Sequence, residues 1–297
     1  MNNFSYTKNK KLFFLFTAVC IILGVICIMA RGVNWDVDFK GGTELNIKVT
    51  TEDKANLFDN VEKITKEIVG NDFSSVTSVS DSTGDSLLVK CNEIDTEKRE
   101  EVLNKISEKY GAENVVLLST NSVSGAISDS LRKSAVVAIS VAVVLMLLYI
   151  AIRFKPLSAI AAVICLIHDI FFVFVAYSLL QIPVNSNIIA VALTILGYSI
   201  NATIVIFDRI RENNKVMGSG VSFEDKANVS VKQTLRRSIF TTITTLLTIG
   251  MVYILGVTSI KNFALPLIIG IVAGLYSSVC LSGNLWVVFD KAFGKKK

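Results

Sequence analysis

Six stretches of this chain are almost unbroken apolar runs, and between the first two lies a long segment in which apolar and polar residues alternate. The runs occupy residues 12–30, 131–152, 157–180, 187–207, 238–257 and 263–289. A helix of about 20 residues crosses a hydrocarbon core, so the pattern predicts a polytopic α-helical membrane protein with six transmembrane helices. Within 31–130 the period changes. TELNIKVT (43–50) alternates as a strand does, and Leu57, Val61, Ile64 and Ile68 then recur at helical spacing along 53–69. SSVTSVS (74–80) and DSLLVKC (85–91) read as two strands, with Thr83, Gly84 and Asp85 as the turn between them. A second helix runs from 95 to 110 with Val102, Leu103, Ile106 and Tyr110 inward, and ENVVLLST (113–120) closes the segment as a strand. The order β-α-β-β-α-β predicts an α+β, ferredoxin-like domain between helices 1 and 2.

Several polar residues interrupt the apolar runs. A polar group inside a membrane is costly and suggests function. Asp169 stands near the middle of the third run beside His168, the one histidine of the chain. A carboxylate there costs roughly 2.5–3.5 kcal/mol on insertion scales, and binding a proton lowers that cost, so the group suits proton uptake and release. The alternative is a structural hydrogen-bonded pair at a helix contact. In the fourth run, Thr194, Gly197, Tyr198, Asn201, Val205 and Asp208 fall at three- and four-residue steps and make a mostly polar stripe. That stripe should face other helices or a hydrated path, with Gly197 allowing close approach. The fifth run carries Thr241, Thr244, Thr245 and Thr248 behind Arg236 and Arg237, and the sixth carries Gly270, Gly274 and Ser278 as a ridge of small packing residues. These features predict a polar seam through helices three, four and five. Taken one at a time, each also fits ordinary bundle packing.

Charge orients the chain. Sixteen Lys or Arg residues lie in four places: Lys8, Lys10 and Lys11; Arg153 and Lys155; seven between Arg209 and Arg237; Lys291 and residues 295–297. The short connections 181–186 and 258–262 hold one cation, Lys261. Positive loops stay in the cytoplasm. The expected layout is therefore a cytoplasmic N-terminus (1–11), an extracytoplasmic domain (31–130), a cytoplasmic loop with a helix (208–237) and a cytoplasmic basic tail (290–297). SFED (222–225) is a capping-box start for that loop helix. The first apolar run is longer than a signal-peptide core and lacks a small-x-small cleavage site, so it reads as an uncleaved anchor. Residues 32–131 hold 19 acidic and 10 basic residues, so the total of +5 is mostly topology and not a nucleic-acid signature.

Composition agrees: 52% of residues are hydrophobic and 19% charged, where soluble domains run near one quarter charged. Cys91 is the one cysteine in the external segment, so no disulfide forms there within the chain. No phosphate-loop motif is present, the single histidine argues against a zinc site, and no credible hydrolase triad is visible. The expectation is a transporter-like or energy-coupling body without enzyme activity, metal or cofactor. Just outside the first helix, NWDVDFKGGTEL contains Asp36, Asp38, Phe39, Gly41, Gly42 and Thr43. Paired glycines allow positive φ and close backbone approach, so the stretch reads as a hinge or as a simple turn.

VDFKGGTEL (37–45), LIHD (166–169), GYSINATIVIFDRIREN (197–213), KQTLRRSI (232–239) and GLYSSV (274–279) resemble, in that order, motifs of the SecF family, part of the SecD/SecF proteins in the RND superfamily. The match covers all six apolar runs and the start of the external domain; the rest of that domain agrees in layout. The resemblance implies half of an RND-type plan in a bacterial inner (cell) membrane, acting in protein export. Its implied partners are SecD, the SecYEG channel with a YajC-like accessory protein, unfolded preprotein and membrane lipid. It also implies coupling of the transmembrane ion gradient to outward preprotein movement. The implied relay is His168, Asp169, Tyr198, Asn201, Asp208 and Arg237; Asp38, Phe39, Gly41, Gly42 and Thr43 form the hinge motif; Gly197, Gly270 and Gly274 pack helices.

One position departs from the family. SecF proteins commonly carry Asp in S-[IL]-N-D-T, where this chain has Ala202, while Arg237 fits the basic position of Q-T-L-x-R with Arg236 beside it. Either SecD supplies the titrating acid, or Asp169 takes over, or coupling is weak or uses another ion. The first is the favoured reading. An RND-type small-molecule or lipid exporter subunit, and a purely structural translocase subunit, are the competing function classes.

Overall fold

The computed structural model describes residues 5–51, 54–81, 84–154, 156–218 and 220–293. Thr83, Lys155 and residues 295–297, counted above as turn or topology signals, lie outside the described residues.

Among the described residues, six helical spans are long and apolar enough to cross a membrane. They are α1 (Lys10–Arg31), α5 (Gly125–Arg153), α6 (Pro156–Leu180), α7 (Asn187–Val216), α8 (Phe223–Leu255), and a last span built from α9 (Thr258–Tyr276), a π-helical turn (Ser277–Ser282) and α10 (Gly283–Phe293). Helices α6, α7 and α9 form the inner layer. Their buried faces include Ala161, Leu166, Val173, Val191, Ile195, Ile206 and Ile271. Helices α1 and α5 are outer: α1 buries only Gly24, and α5 only Ser128 and Ile150.

The helices overrun the apolar runs on the side that carries the basic loops. α7 continues to Val216, and α8 starts at Phe223 and runs 33 residues without a break into the fifth span. Ser222 caps α8, its hydroxyl accepting from the Asp225 amide at 3.1 Å as the capping box predicts. The expected loop helix is thus the first turns of a membrane helix. Arg209, Glu212 and Asn213 continue α7 because the helix still packs on α8 through Asn213–Ser230 and Asn213–Gln233 hydrogen bonds of 2.8 and 2.9 Å.

Between α1 and α5 lies the α+β domain: α2 (Val37–Lys40), β1 (Gly42–Val49), α3 (Lys54–Val69), β2 (Phe73–Asp81), β3 (Gly84–Cys91), α4 (Thr96–Tyr110) and β4 (Val115–Val123). Its four strands pair antiparallel in the order β2-β3-β1-β4. Alternation puts Leu45 and Ile47 fully inside on β1, against Val61 of α3, Val89 of β3, and Val102 and Ile106 of α4. Asp95 caps α4 by accepting from the Lys98 amide, and Gly111 ends it at φ 87°. The periodicity expected for both helices is the one observed, with Leu57, Ile64, Ile68, Leu103 and Tyr110 half-buried around the core.

Candidate functional site

Three groups of residues carry the chemistry, and they occupy different places.

The first is the joint between domain and bundle. Asp36 caps the short helix α2, accepting from the Val37 amide at 2.9 Å, and its carboxylate meets the Lys90 ammonium at 2.6 Å. Lys90 also stands 3.3 Å from Glu44 Oε2. Burial, and next the Asp36 charge, push the Glu44 carboxyl above the ordinary glutamate range despite Lys90. Asp38 points the other way: its Oδ2 accepts from the Ser186 amide at 2.9 Å and the Ser186 hydroxyl at 2.7 Å. Ser186 is the N-cap of α7. The Asp36 amide also donates to the Val184 carbonyl, and the Val184 amide to Asn34, so the chain leaving α1 pairs briefly with the α6–α7 loop. Phe39 is buried in the bundle's upper core beside Tyr177, Val184 and Ile188.

Gly41 (φ 78°) and Gly42 (φ 137°) turn the chain from α2 into β1. A Cβ on Gly42 would overlap the Cys91 carbonyl oxygen, so only glycine fits. Thr43, fully buried, holds Ser122 across the sheet at 3.2 Å. The hinge motif is therefore a firm anchor for α2, wedged between the sheet, the start of α5 and the α6–α7 loop.

The second group is closed. Asp169, fully buried on α6, places Oδ1 2.8 Å from His168 Nδ1 and accepts on Oδ2 from Ser199 of α7 at 2.5 Å and Ser277 of the π turn at 2.9 Å. Thr203 and Ser278 extend the cluster at 3.0 Å, and a Cβ on Gly274 would stand 3.2 Å from Ser199. His168 lies against Phe172 and Tyr276, and its Nε2 is buried without a hydrogen-bond partner among the described residues. π turns recur at functional sites because they break the regular ladder; here one brings Ser277 onto the carboxylate. Gly270 packs against Ile195 and Val173 as a small residue in a tight crossing.

The third group is open. Thr194, Gly197 and Asn201 are exposed on α7, and Tyr198, Val205 and Asp208 half-buried. Tyr198 donates to Thr242 of α8 at 2.9 Å. Toward the basic side, a cleft of about 510 Å³ is lined by Asn201, Asp208, Arg209, Glu212, Gln233 and Arg237. Asp208 pairs with Arg153 at 3.4 Å, and Arg209 with Glu212 and Gln233, both at 2.6 Å. Arg237 meets no carboxylate among the described residues. Ala202, half-buried, adjoins Asn201.

The expected seam is thus two features. Asp169 and His168 sit behind α7 on its inner face; Tyr198, Asn201, Asp208 and Arg237 lie on its outer flank. The threonines of α8 do not build a shared path within this chain: Thr244, Thr245 and Thr248 bond to carbonyls of their own helix at 2.8–3.1 Å. Among the described residues, no atom of another element stands within 4 Å of where a Cβ on Gly197 would lie, so the close approach expected there is not made by them. Sequence reasoning missed Ser186, Ser277 and Thr242, and left Ser199 out of the stripe. The serine spacing GLYSSV was visible, yet nothing in it reports the π turn that aims Ser277.

A family model for the C-terminal part of the protein export membrane proteins SecD/SecF matches residues 102–292. The chain is 35% identical over 296 residues to the protein translocase subunit SecF of Acidaminococcus fermentans, covering 98% of this chain and 99% of that one. It is similar to the crystal structure of SecDF, a translocon-associated membrane protein from Thermus thermophilus, with TM-score 0.85 and 30% identity. A structure of SecDF in a super-membrane-facing form matches with TM-score 0.70 and 31% identity. In both cases the match covers 98% of this chain and 39% of the solved one.

Proposed function

The chain belongs to the SecD/SecF protein-export family, and we propose that it is the SecF half of a SecD–SecF pair that couples an ion gradient to outward preprotein movement. Both termini then lie in the cytoplasm of a bacterial inner membrane, and the α+β domain, read as a ferredoxin-like fold, lies outside. SecYEG is the channel served, with a YajC-like protein as a further member of the assembly.

The observation that carries this reading is Arg237. It lines an open cleft with Asn201, the sequence neighbour of Ala202, where the family commonly places an acid. Asp208 and Glu212 share the cleft but pair with Arg153 and Arg209, and no carboxylate among the described residues pairs with Arg237. A cation at the membrane edge favours a carboxylate partner. The match leaves about 61% of each solved SecDF chain beyond what this chain covers, since it spans 39% of each. An acid from a SecD half against α7 and α8 would complete the relay there. The Asp38–Ser186 joint then ties the external domain to the first turn of the helix that carries the stripe, so a shift of α7 moves the domain with it.

Ala202 supports a second reading, a structural subunit without its own relay. Co-purification with SecD, followed by reconstitution in vesicles, separates the readings. Under the first, proton or sodium flux accompanies preprotein movement and Arg237→Gln abolishes both. Export that continues in the Arg237→Gln complex without any dependence on the gradient leaves the scaffold reading. Isolation without SecD, in company with a small-molecule or lipid substrate, would favour an exporter subunit.

A further inference from the structure

A second pocket, which borders the relay cleft through the Arg153–Asp208 pair, opens on the basic side where α5, α7, α8 and α10 meet. It has a volume of about 280 Å³, and Arg153, Phe154, Arg211, Asn214, Phe223 and Trp286 line it. Its floor is Trp286, 3% exposed, set edge-on to Phe207 at 4.9 Å and Phe223 at 5.4 Å. The indole N–H of Trp286 is buried and has no hydrogen-bond partner among the described residues. A buried donor without an acceptor is costly, and native structures rarely leave one unanswered.

The mouth is cationic. Arg153 is shared with Asp208 at 3.4 Å and lies over the Phe154 ring at 5.4 Å. Arg211 has only a 3.4 Å hydrogen bond to the Arg153 carbonyl, so its guanidinium is without a counter-charge among the described residues. An oxyanion between the two guanidiniums and the indole would satisfy all three. Arg guanidiniums match a phosphate in charge and fork geometry.

Depth identifies the source of that phosphate. The fourth apolar run ends at Phe207, and Ile210, Arg211 and Asn214 follow within two turns, about 10 Å along the axis. That is the headgroup zone. Tyr149 and Ile152, on the last turns of α5 just before Arg153, are 53% and 86% exposed. Basic pockets between membrane helices at this level recognise anionic lipid headgroups. We propose that this pocket binds the phosphate of an anionic phospholipid in the leaflet on the basic side.

The test measures binding of dioleoylphosphatidylglycerol to the full chain in detergent by native mass spectrometry. Dioleoylphosphatidylcholine and inorganic phosphate serve as the comparison probes. Expected is preferential retention of phosphatidylglycerol, weakened about fivefold by Arg211→Gln, the equivalent of about 1 kcal/mol for one cation at a membrane surface. Trp286→Phe keeps the ring, loses the N–H and weakens retention in the same direction, while Lys11→Gln, an exposed cation on α1, leaves it unchanged. The proposal is overturned if Arg211→Gln and Trp286→Phe retain the lipid as the parent chain does, or if Lys11→Gln weakens it as much. Competition by inorganic phosphate at the lipid's own concentration overturns the lipid assignment.

Discussion

Asp38 holds Ser186 by two hydrogen bonds to one carboxylate oxygen, 2.9 Å from the amide and 2.7 Å from the hydroxyl. The two residues lie 148 positions apart in sequence, yet they fasten the domain's entry helix to the N-cap of α7. A charged acceptor with two donors is stronger than a neutral bond, and losing it strands both donors.

Asp38→Ala should therefore lower the stability of the chain by about 1–3 kcal/mol. Ser186→Ala should cost less, since the amide bond survives. The double variant should cost less than the sum of the two. Thermal unfolding followed by tryptophan fluorescence checks this; strict additivity would mean that the pair does not interact.

Glycine positions separate internal packing from a partner surface. Gly42→Ala should destabilise the α+β domain by roughly 2–4 kcal/mol, from backbone strain plus overlap with the Cys91 carbonyl. Gly197→Ala meets nothing in this chain and should stabilise the isolated protein by about 0.5–1 kcal/mol through helix propensity. The same change should reduce co-purification of SecD, if α7 approaches a partner helix there. Unchanged recovery of SecD would remove Gly197 from that interface.

Asp169 and Ala202 should both accept substitution, for different reasons. With the acid supplied by SecD, Asp169→Asn keeps a polar group opposite Ser199 and Ser277 and leaves export of a secreted reporter close to the parent level. Abolished export in a folded Asp169→Asn protein would instead make Asp169 the carrier. Ala202→Asp should be tolerated because Ala202 is half-buried beside the open cleft; loss of SecD association in that variant would mark a dry packing surface.

The Glu44 carboxyl gives a pH signature. Its folded-state pKa is raised, first by burial and then by Asp36, so the folded state binds the proton more tightly than the unfolded chain. The associated stability is present below the unfolded value of about 4.5 and is lost as pH rises through the folded value. Glu44→Gln should then be more stable than the parent at neutral pH, with the difference shrinking as the pH falls toward 4.5. Melting curves across that range check the sign. A Glu44→Gln protein less stable at pH 7 would show that the Lys90 contact outweighs desolvation.

Periodicity made most of the fold legible. The alternation of 43–50 and the helical repeat from Leu57 to Ile68 report one-sided burial, and the observed core is built from them. Helix ends were less legible, because α7 and α8 run past their apolar runs and pair there through Asn213, Ser230 and Gln233. The site was legible in composition but not in direction. A hydroxyl in an apolar run looks alike whether it bonds its own helix, as Thr248 does, or crosses to Asp169, as Ser199 does. Only the tertiary crossing decides. Asp38 was visible as part of a motif, but its partner Ser186 carried no local mark.

The π turn at Ser277–Ser282 also sets the rotational phase of everything after it. Each residue added to a helix turns the remainder by about 100°, so a one-residue deletion there would swing Trp286 away from Phe207 and Phe223 and pull Asn284 off the Tyr6 carbonyl it now holds at 3.3 Å. The N-terminal segment and the aromatic floor would lose their seats together. Within those six residues, the residue count fixes the direction of everything beyond as firmly as Ser277 fixes the contact to Asp169.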